Sequence, residues 1–236
     1  KSSRDELESA YQEIIHQNAL AEVGKFSLMI AHEVKNPLSI IKSSLDVLKS
    51  DADLSKNDTV IYYMEDEIRR LNTMIEDFLA FARPGRPCFR RVDVSGLLRE
   101  TVERFEIQKT GAGVAIHSRI EPGLGHDRMD PDMFARAVAN ILKNAFEANG
   151  DKGEIWVSAV REDNAVRVDI EDQGSGIDKA DIHRIFEPFY TTRSKGTGLG
   201  LAYAYQVVSV HKGSVIAQNR DGGGACFRIE IPLPAS

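Results

Sequence analysis

Cysteine and tryptophan are scarce in this 236-residue chain: two cysteines, Cys88 and Cys226, and one tryptophan, Trp156. The cysteines stand far apart and neither belongs to a CxxC pair. Neither a disulfide framework nor a zinc site is therefore indicated, and a reducing, cytoplasmic setting fits. No apolar run approaches the roughly 20 residues needed to cross a bilayer, so no membrane contact is expected of this stretch itself. A basic excess is also missing: 30 Lys and Arg stand against 36 Asp and Glu, a net charge of -6. Nucleic-acid binding usually shows the opposite balance, and no such partner is expected. An initiator methionine and a signal-peptide pattern are lacking at Lys1, so the chain reads as a piece of something longer. What is present is a hydrophobic fraction of 42%. That suffices for a packed core in one large domain or two small ones.

The first half has a helical period. One seam runs Val23, Ser27, Ile30, Val34, Pro37, Ile41, Ser44 or Leu45, Leu48, alternating steps of four and three as a heptad does. A polar stretch, Ser50 to Thr59, interrupts it. A second seam follows at Ile61, Met64, Ile68, Leu71, Ile75, Phe78 and Ala82, and Arg83-Pro84-Gly85-Arg86-Pro87 ends it, because proline lacks the backbone N–H. Two helices joined by a loop make a hairpin whose wide apolar face needs a cover. Pairing two copies into a four-helix bundle supplies one, so a homodimer is expected; the alternative is that the second half of the same chain covers it.

The second half mixes periods. Val114 to Ile120, Ile155 to Val160, Ala165 to Ile170, Ser214 to Ala217 and Phe227 to Ile231 alternate as strands do. Helices are predicted at Val94–Lys109, Pro131–Asn149 and Leu199–His211, with Pro131 suited to a first turn and Gly213 to a C-terminus. Adjacent strand pairs point to an α+β layer rather than a βαβ repeat. Asp172 to Thr197 is long and poorly periodic, as a functional lid would be.

Three elements of this half suit a nucleotide. Asn140 and Asn144 lie four apart and share a helix face; a neutral amide oxygen can ligate Mg²⁺ while phosphates supply the negative charge. Alone, such a pair means little. Asp172-Gln173-Gly174-Ser175-Gly176 follows a strand, where a carboxylate among glycines suits an amino group with backbone close by. It also reads as a plain turn; a calcium loop fits less well, because Gly174 and Ile177 stand where a ligand and the turn glycine belong and His183 where a glutamate would close the loop. Gly196-Thr197-Gly198-Leu199-Gly200-Leu201 opens a helix whose N-terminal N–H groups favour phosphate. The spacing is neither GxGxxG nor that of a Walker loop.

In the first half, His32-Glu33-Val34-Lys35-Asn36-Pro37 carries the other candidate chemistry. His32 lies two residues from seam position Ile30, about 200° around the helix, and should face solvent. Asn36 replaces the second histidine of HExxH, which rules out that zinc motif. Neutral imidazole is a competent nucleophile near pH 7, Glu33 can take its proton, and Asn36, one turn on, can position water. Pro37 should bend the helix beside this site, a feature suited to switching between two activities.

In order and spacing, the second-half elements resemble the ATP-binding (Bergerat) domain shared by histidine kinases, gyrase, Hsp90-type chaperones and MutL, over about residues 90 to 235. The resemblance implies that Asn140 and Asn144 form the N box, with Asn144 reaching Mg²⁺. It implies that Asp172 reads the adenine amino group beside Gly174 and Gly176, that Phe186 to Tyr190 form the lid's F box, and that Gly196, Thr197, Gly198, Leu199 and Gly200 admit the phosphates of ATP. Lys195 is placed to reach a phosphate, or is simply a solvated lysine. Hydrolysing relatives carry a glutamate where this chain has Asn140, and an amide is too weak a base to activate water. Many relatives carry a basic residue at the position of Glu147. The His32 segment resembles the H box of sensor histidine kinases, in detail the nitrogen-regulation type. The resemblance as a whole implies residues 1–86 as a dimerisation and phosphotransfer domain, 87–89 as a linker, and 90–236 as an α+β sandwich that binds ATP and Mg²⁺. It further implies a phosphorylated His32, transfer to the receiver domain of a response regulator, a reverse phosphatase activity served by Asn36, and an upstream sensor region that anchors the intact protein or not. The rival readings are an ATPase of the same fold and a nucleotide-binding dimeric scaffold.

Overall fold

The structure, a computed structural model, describes residues 34–46, 48, 57–82, 87–109, 111, 113–150, 152–193 and 196–233. The chain divides into two compact units, residues 1–86 and 87–236.

The first unit is a helical hairpin. Helix α1 includes residues 34–46, and α2 is Asn57–Ala82. Ser39, Ile40 and Ser43 of α1 line a shared groove with Val60 and Tyr63 of α2. Along α2 two stripes run at sevenfold spacing with opposite fates. Glu67, Met74 and Phe81 are buried, whereas Ile61, Ile68 and Ile75 remain 44%, 46% and 48% exposed. The exposed stripe is one half of the seam read from the sequence: Met64, Leu71 and Phe78 are half-buried and Ala82 is buried. Among the described residues, part of the apolar face that heptads reserve for another helix thus stands exposed. Helix α2 begins four residues before Ile61, inside the stretch read as an interruption, and ends at Ala82, just before the proline-bearing segment.

The second unit is an α+β sandwich. Strand β1 is Arg90–Asp93 and α3 Val94–Gln108; β2 is Val114–Ile120 and β3 His126–Met129. Helix α4 is Pro131–Asn149, followed by β4 Gly153–Glu162, β5 Ala165–Glu171, α5 Gly200–Val210, β6 Ser214–Asn219 and β7 Ala225–Pro232. Five strands form one sheet in the order β2-β4-β5-β7-β6, with β2 parallel to β4 and the other neighbours antiparallel. β1 and β3 pair separately, Arg90 opposite Met129.

Alternation decides the layers. Ile155, Val157 and Ala159 of β4, Val166, Val168 and Ile170 of β5, and Phe227, Ile229 and Ile231 of β7 are buried. So are Leu98 and Val102 of α3, Phe134, Val138 and Ile141 of α4, and Val207 and Val208 of α5. Period-2 faces meeting period-3.6 stripes make one core. The other sheet face is polar. Arg228 grips Asp169 through Nε at 2.7 Å and Nη2 at 3.3 Å, and Arg167 reaches both Asp169 and Glu162.

Local chemistry starts the helices. Asp93 accepts from the N–H groups of Ser95 and Gly96 ahead of α3. Asp130 accepts from those of Asp132 and Met133 ahead of α4, with Pro131 at the first helical position. The predicted linker residues belong physically to this unit. Cys88 N–H donates to Asp130 Oδ2 at 2.7 Å, and Phe89 lies 5.3 Å from the His211 ring, centroid to centroid.

Candidate functional site

Asp172 follows the last residue of β5 and is 1% exposed. Its N–H donates to Ala225 O at 2.9 Å, which extends the β5–β7 ladder past the strand's end. Its Oδ1 accepts from the N–H groups of Gly174 at 2.9 Å and Ala225 at 3.0 Å. Its Oδ2 is buried with no hydrogen-bond partner. Burial pushes the carboxyl above the usual range, while those two N–H groups, then Arg220 and Arg193, pull it back. A buried carboxylate oxygen without a donor is costly unless a ligand supplies one. An exocyclic amino group, such as that of adenine, is such a donor.

The glycines beside Asp172 answer to protein packing as much as to a ligand. A Cβ on Gly174 would lie 2.5 Å from the carbonyl oxygen of Ala148, so the loop rests directly on the backbone near the end of α4. Gly176 has φ +74°, and its Cβ would lie 2.8 Å from Asn219 Oδ1.

The second element is the start of α5. Leu199 precedes the helix without a side-chain cap. Its own N–H donates to Thr197 Oγ1 at 3.4 Å. First-turn N–H groups left without a cap suit an anion. Gly198, at φ +65°, packs against Phe189, whose N–H donates to Gly198 O at 3.0 Å, so the Phe186–Tyr190 segment and the glycine run are stitched together. A Cβ on Gly196 would meet Thr191 Oγ1 at 2.7 Å, a contact within the lid.

Helix α4 contributes the third element. Asn140 Nδ2 donates to Gly200 O at 3.2 Å, which ties the asparagine face to the start of α5. Asn144 is half-buried one turn on, and its carbonyl accepts from Arg193 Nη2 at 3.0 Å. Arg193 Nη1 also reaches Glu147 Oε2 at 2.6 Å. The acidic residue that departs from the family pattern thus holds a lid arginine on α4. The donor set fits Mg²⁺: Asn144 offers a neutral oxygen, and phosphate would supply the charged ones.

The structure accordingly brings together Asp172, Gly174 and Gly176, and joins Asn140 to Gly200 and Gly198 to Phe189. Asn36 is exposed on α1. His32, Glu33 and Lys195 lie outside the described residues. Sequence reasoning missed four polar side chains that hold the loops: Arg193, and three that bond the Asp172–Ile177 loop. Asn149 Oδ1 accepts from Gln173 N–H at 3.1 Å. Asn219 exchanges two 2.7 Å bonds with the backbone of Ile177. Arg220 Nη1 donates to Asp172 O at 2.7 Å. For Asn149, Asn219 and Arg220 the only signal in sequence was a polar residue at a helix end or strand end, and for Arg193 there was none.

Residues 22–87 match the family described as His Kinase A (phospho-acceptor) domain, and residues 129–235 the family described as Histidine kinase-, DNA gyrase B-, and HSP90-like ATPase. Sporulation kinase E of Bacillus subtilis (strain 168) is 29% identical over 236 residues, 98% of this chain and 31% of that protein. Signal transduction histidine-protein kinase AtoS of Escherichia coli (strain K12) is 30% identical over 215 residues, 91% of this chain and 35% of that protein. The crystal structure of histidine kinase ThkA in complex with response regulator protein TrrA superposes with a TM-score of 0.80 at 26% identity, covering 96% of this chain and 66% of that one. The chain thus spans about a third of the length of these two curated relatives.

Proposed function

This chain belongs to the sensor histidine kinases, as a catalytic core joining a phospho-acceptor domain to a gyrase B- and HSP90-like ATPase domain, and on that premise we propose that it moves the γ-phosphoryl group of ATP to its own His32 and then to an aspartate on a response-regulator receiver domain. The observation that carries the nucleotide half is the buried, donorless Oδ2 of Asp172 at one side of a loop whose other side leads to the uncapped start of α5. Asp172 takes the adenine amino group, and Gly196 to Gly200 admit the phosphates with Thr197 and Leu199 between them. Asn144 holds Mg²⁺, which when bound offsets charge on the transferring group. Lys195, outside the described residues, is assigned to a phosphate on its sequence position alone.

His32 supplies the nucleophile. One ring nitrogen attacks the γ-phosphorus, ADP leaves, and Glu33 accepts the proton from the other nitrogen. Asn140 stands where a hydrolase needs a base, and its amide is engaged with Gly200 O. Water therefore finds no proton acceptor there, which preserves the phosphoryl group for His32. Asn36, exposed on α1, positions water for the reverse reaction, dephosphorylation of the regulator.

Two copies form the working unit. The exposed stripe of Ile61, Ile68 and Ile75 is the face a second hairpin covers in a four-helix bundle. Residues 1–86 form the acceptor domain and 87–236 the ATP domain. The swing toward His32 is assigned to the Pro84–Pro87 stretch, since Cys88 and Phe89 are held on the second unit. A receiver-domain partner is supported by the complex of ThkA with its response regulator. Among the described residues no helix is long and apolar enough to cross a membrane. A cytoplasmic core driven by a sensor region elsewhere in the intact protein is part of the proposal.

The test is incubation with γ-labelled ATP and Mg²⁺, comparing wild type with His32→Gln. Acid-labile, alkali-stable label on wild type alone is expected. Equal label on both, or steady phosphate release without label, would move the assignment to another acceptor or to an ATPase.

A further inference from the structure

Asp172 is gripped from behind by a residue to which the nucleotide reading gives no role. Arg220 stands directly after β6. Its Nη1 donates to Asp172 O at 2.7 Å, its Nε lies 3.0 Å from Glu171 Oε2, and its guanidinium sits 4.9 Å from the ring centroid of Trp156 on β4. It also shapes the β6–β7 turn, because Arg220 N–H donates to Gly224 O at 3.0 Å and Gly223 N–H donates to Arg220 O at 3.1 Å. That turn delivers Ala225, whose N–H is one of the two donors to Asp172 Oδ1. The turn is pressed against the same peptide: a Cβ on Gly224 would lie 2.0 Å from Asp172 O, and its φ is +83°.

We infer that Arg220 is a positioning residue for base selection, holding the Asp172 peptide so that Oδ2 meets an amino group and not a carbonyl. The inference rests on the reading of Asp172 as the adenine acceptor. The guanidinium is suited to this because it is planar: it bonds the carbonyl and the Glu171 carboxylate in its plane while its face lies on the indole. A lysine reproduces the charge without the fork or the stack. Arg220 also places positive charge near Asp172, in the direction that keeps the carboxylate ionised as an acceptor.

The experiment compares ATP with inosine triphosphate, in which a carbonyl replaces the amino group. KM and kcat for His32 labelling are measured with both nucleotides for wild type, Asp172→Asn, Arg220→Gln and Arg220→Lys. Far-UV circular dichroism and the thermal midpoint show that each variant is folded. Arg220→Gln is expected to raise KM for ATP roughly tenfold with kcat unchanged. KM for inosine triphosphate should hardly move, and Arg220→Lys should recover only part of the preference. Asp172→Asn losing the preference while Arg220→Gln keeps it would overturn the positioning role and leave the site reading intact. Equal losses for both nucleotides in Arg220→Gln would make the residue merely structural and overturn it too. A wild-type preference in Asp172→Asn would sink the site reading, and the inference with it.

Discussion

Replacing Gly198 by alanine puts a methyl group where backbone already is. At φ +65° its Cβ would stand 2.4 Å from Phe189 C, 2.7 Å from Phe189 Cα and 2.8 Å from Phe189 O. No rotamer change relieves this, because all three atoms belong to the main chain. Phe189 is itself at φ +63° and bound to Gly198 O through its N–H, so the two residues are locked as a pair. Ordinary contact between such atoms begins at 3.4 Å, so one partner must retreat by about 1 Å. The left-handed backbone adds about 1–2 kcal/mol for alanine. The sheet core does not pass through this loop, and the fold should survive. The displaced atoms lie two residues before Gly200, the first residue of α5, and a misplacement of about 1 Å at a reacting site costs roughly a hundredfold in rate. Gly198→Ala should therefore melt near wild type by Trp156 emission yet label His32 about a hundred times more slowly at saturating ATP. Gly222→Ala is the control, since nothing lies within 4 Å of its Cβ and its φ is not positive; it should label at the wild-type rate. Labelling by Gly198→Ala within threefold of wild type would refute the coupling of lid to phosphate loop.

Two further outcomes follow from buried groups. His211 accepts from Asp130 N–H at Nε2 and bonds Val207 O through Nδ1, so it is held neutral, and burial lowers its pKa below the ordinary 6.5. Between the folded pKa and about 6.5 the unfolded chain binds the extra proton, so stability falls as pH falls, by at most about 1.4 kcal/mol per pH unit for this group. Unfolding of the second unit followed by Trp156 emission should show a shallower acid slope in His211→Gln than in wild type, and an identical slope would count against the assignment. Cys88 is exposed, whereas Cys226 is buried and its thiol is pushed up to about 11. Iodoacetamide at pH 8 should add one group to the native chain and two in denaturant, read by mass spectrometry, because only a thiolate reacts; native labelling of Cys226 would contradict its placement.

The sequence by itself determined the elements whose signals are local. Helix α4 spans the predicted Pro131–Asn149 because an aspartate cap, a proline at the first position and an amphipathic stripe all act within a few residues. Strand β2 likewise matches its prediction, and β4 to β7 run one to four residues longer than their apolar alternation because polar ends are carried by backbone pairing alone. Asp172 and the glycine run were legible for the same reason: their chemistry is written in adjacent residues. Strands β1 and β3 were not legible. Four residues each, mostly charged, they exist only because each finds the other across more than thirty positions. Nor could the chain announce that Arg220 and Ala225 would reach Asp172 from 48 and 53 residues away, or that Glu147 would hold Arg193. The two contacts on Asp172 follow from β5 lying beside β7, and β7 beside β6, an order set by burying the sheet's apolar face against three helices; the Glu147–Arg193 pair instead joins α4 to the loop before α5. Caps, turns and period are fixed by neighbours in sequence, whereas the residues that hold Asp172 from behind are fixed by which strands the core brings side by side.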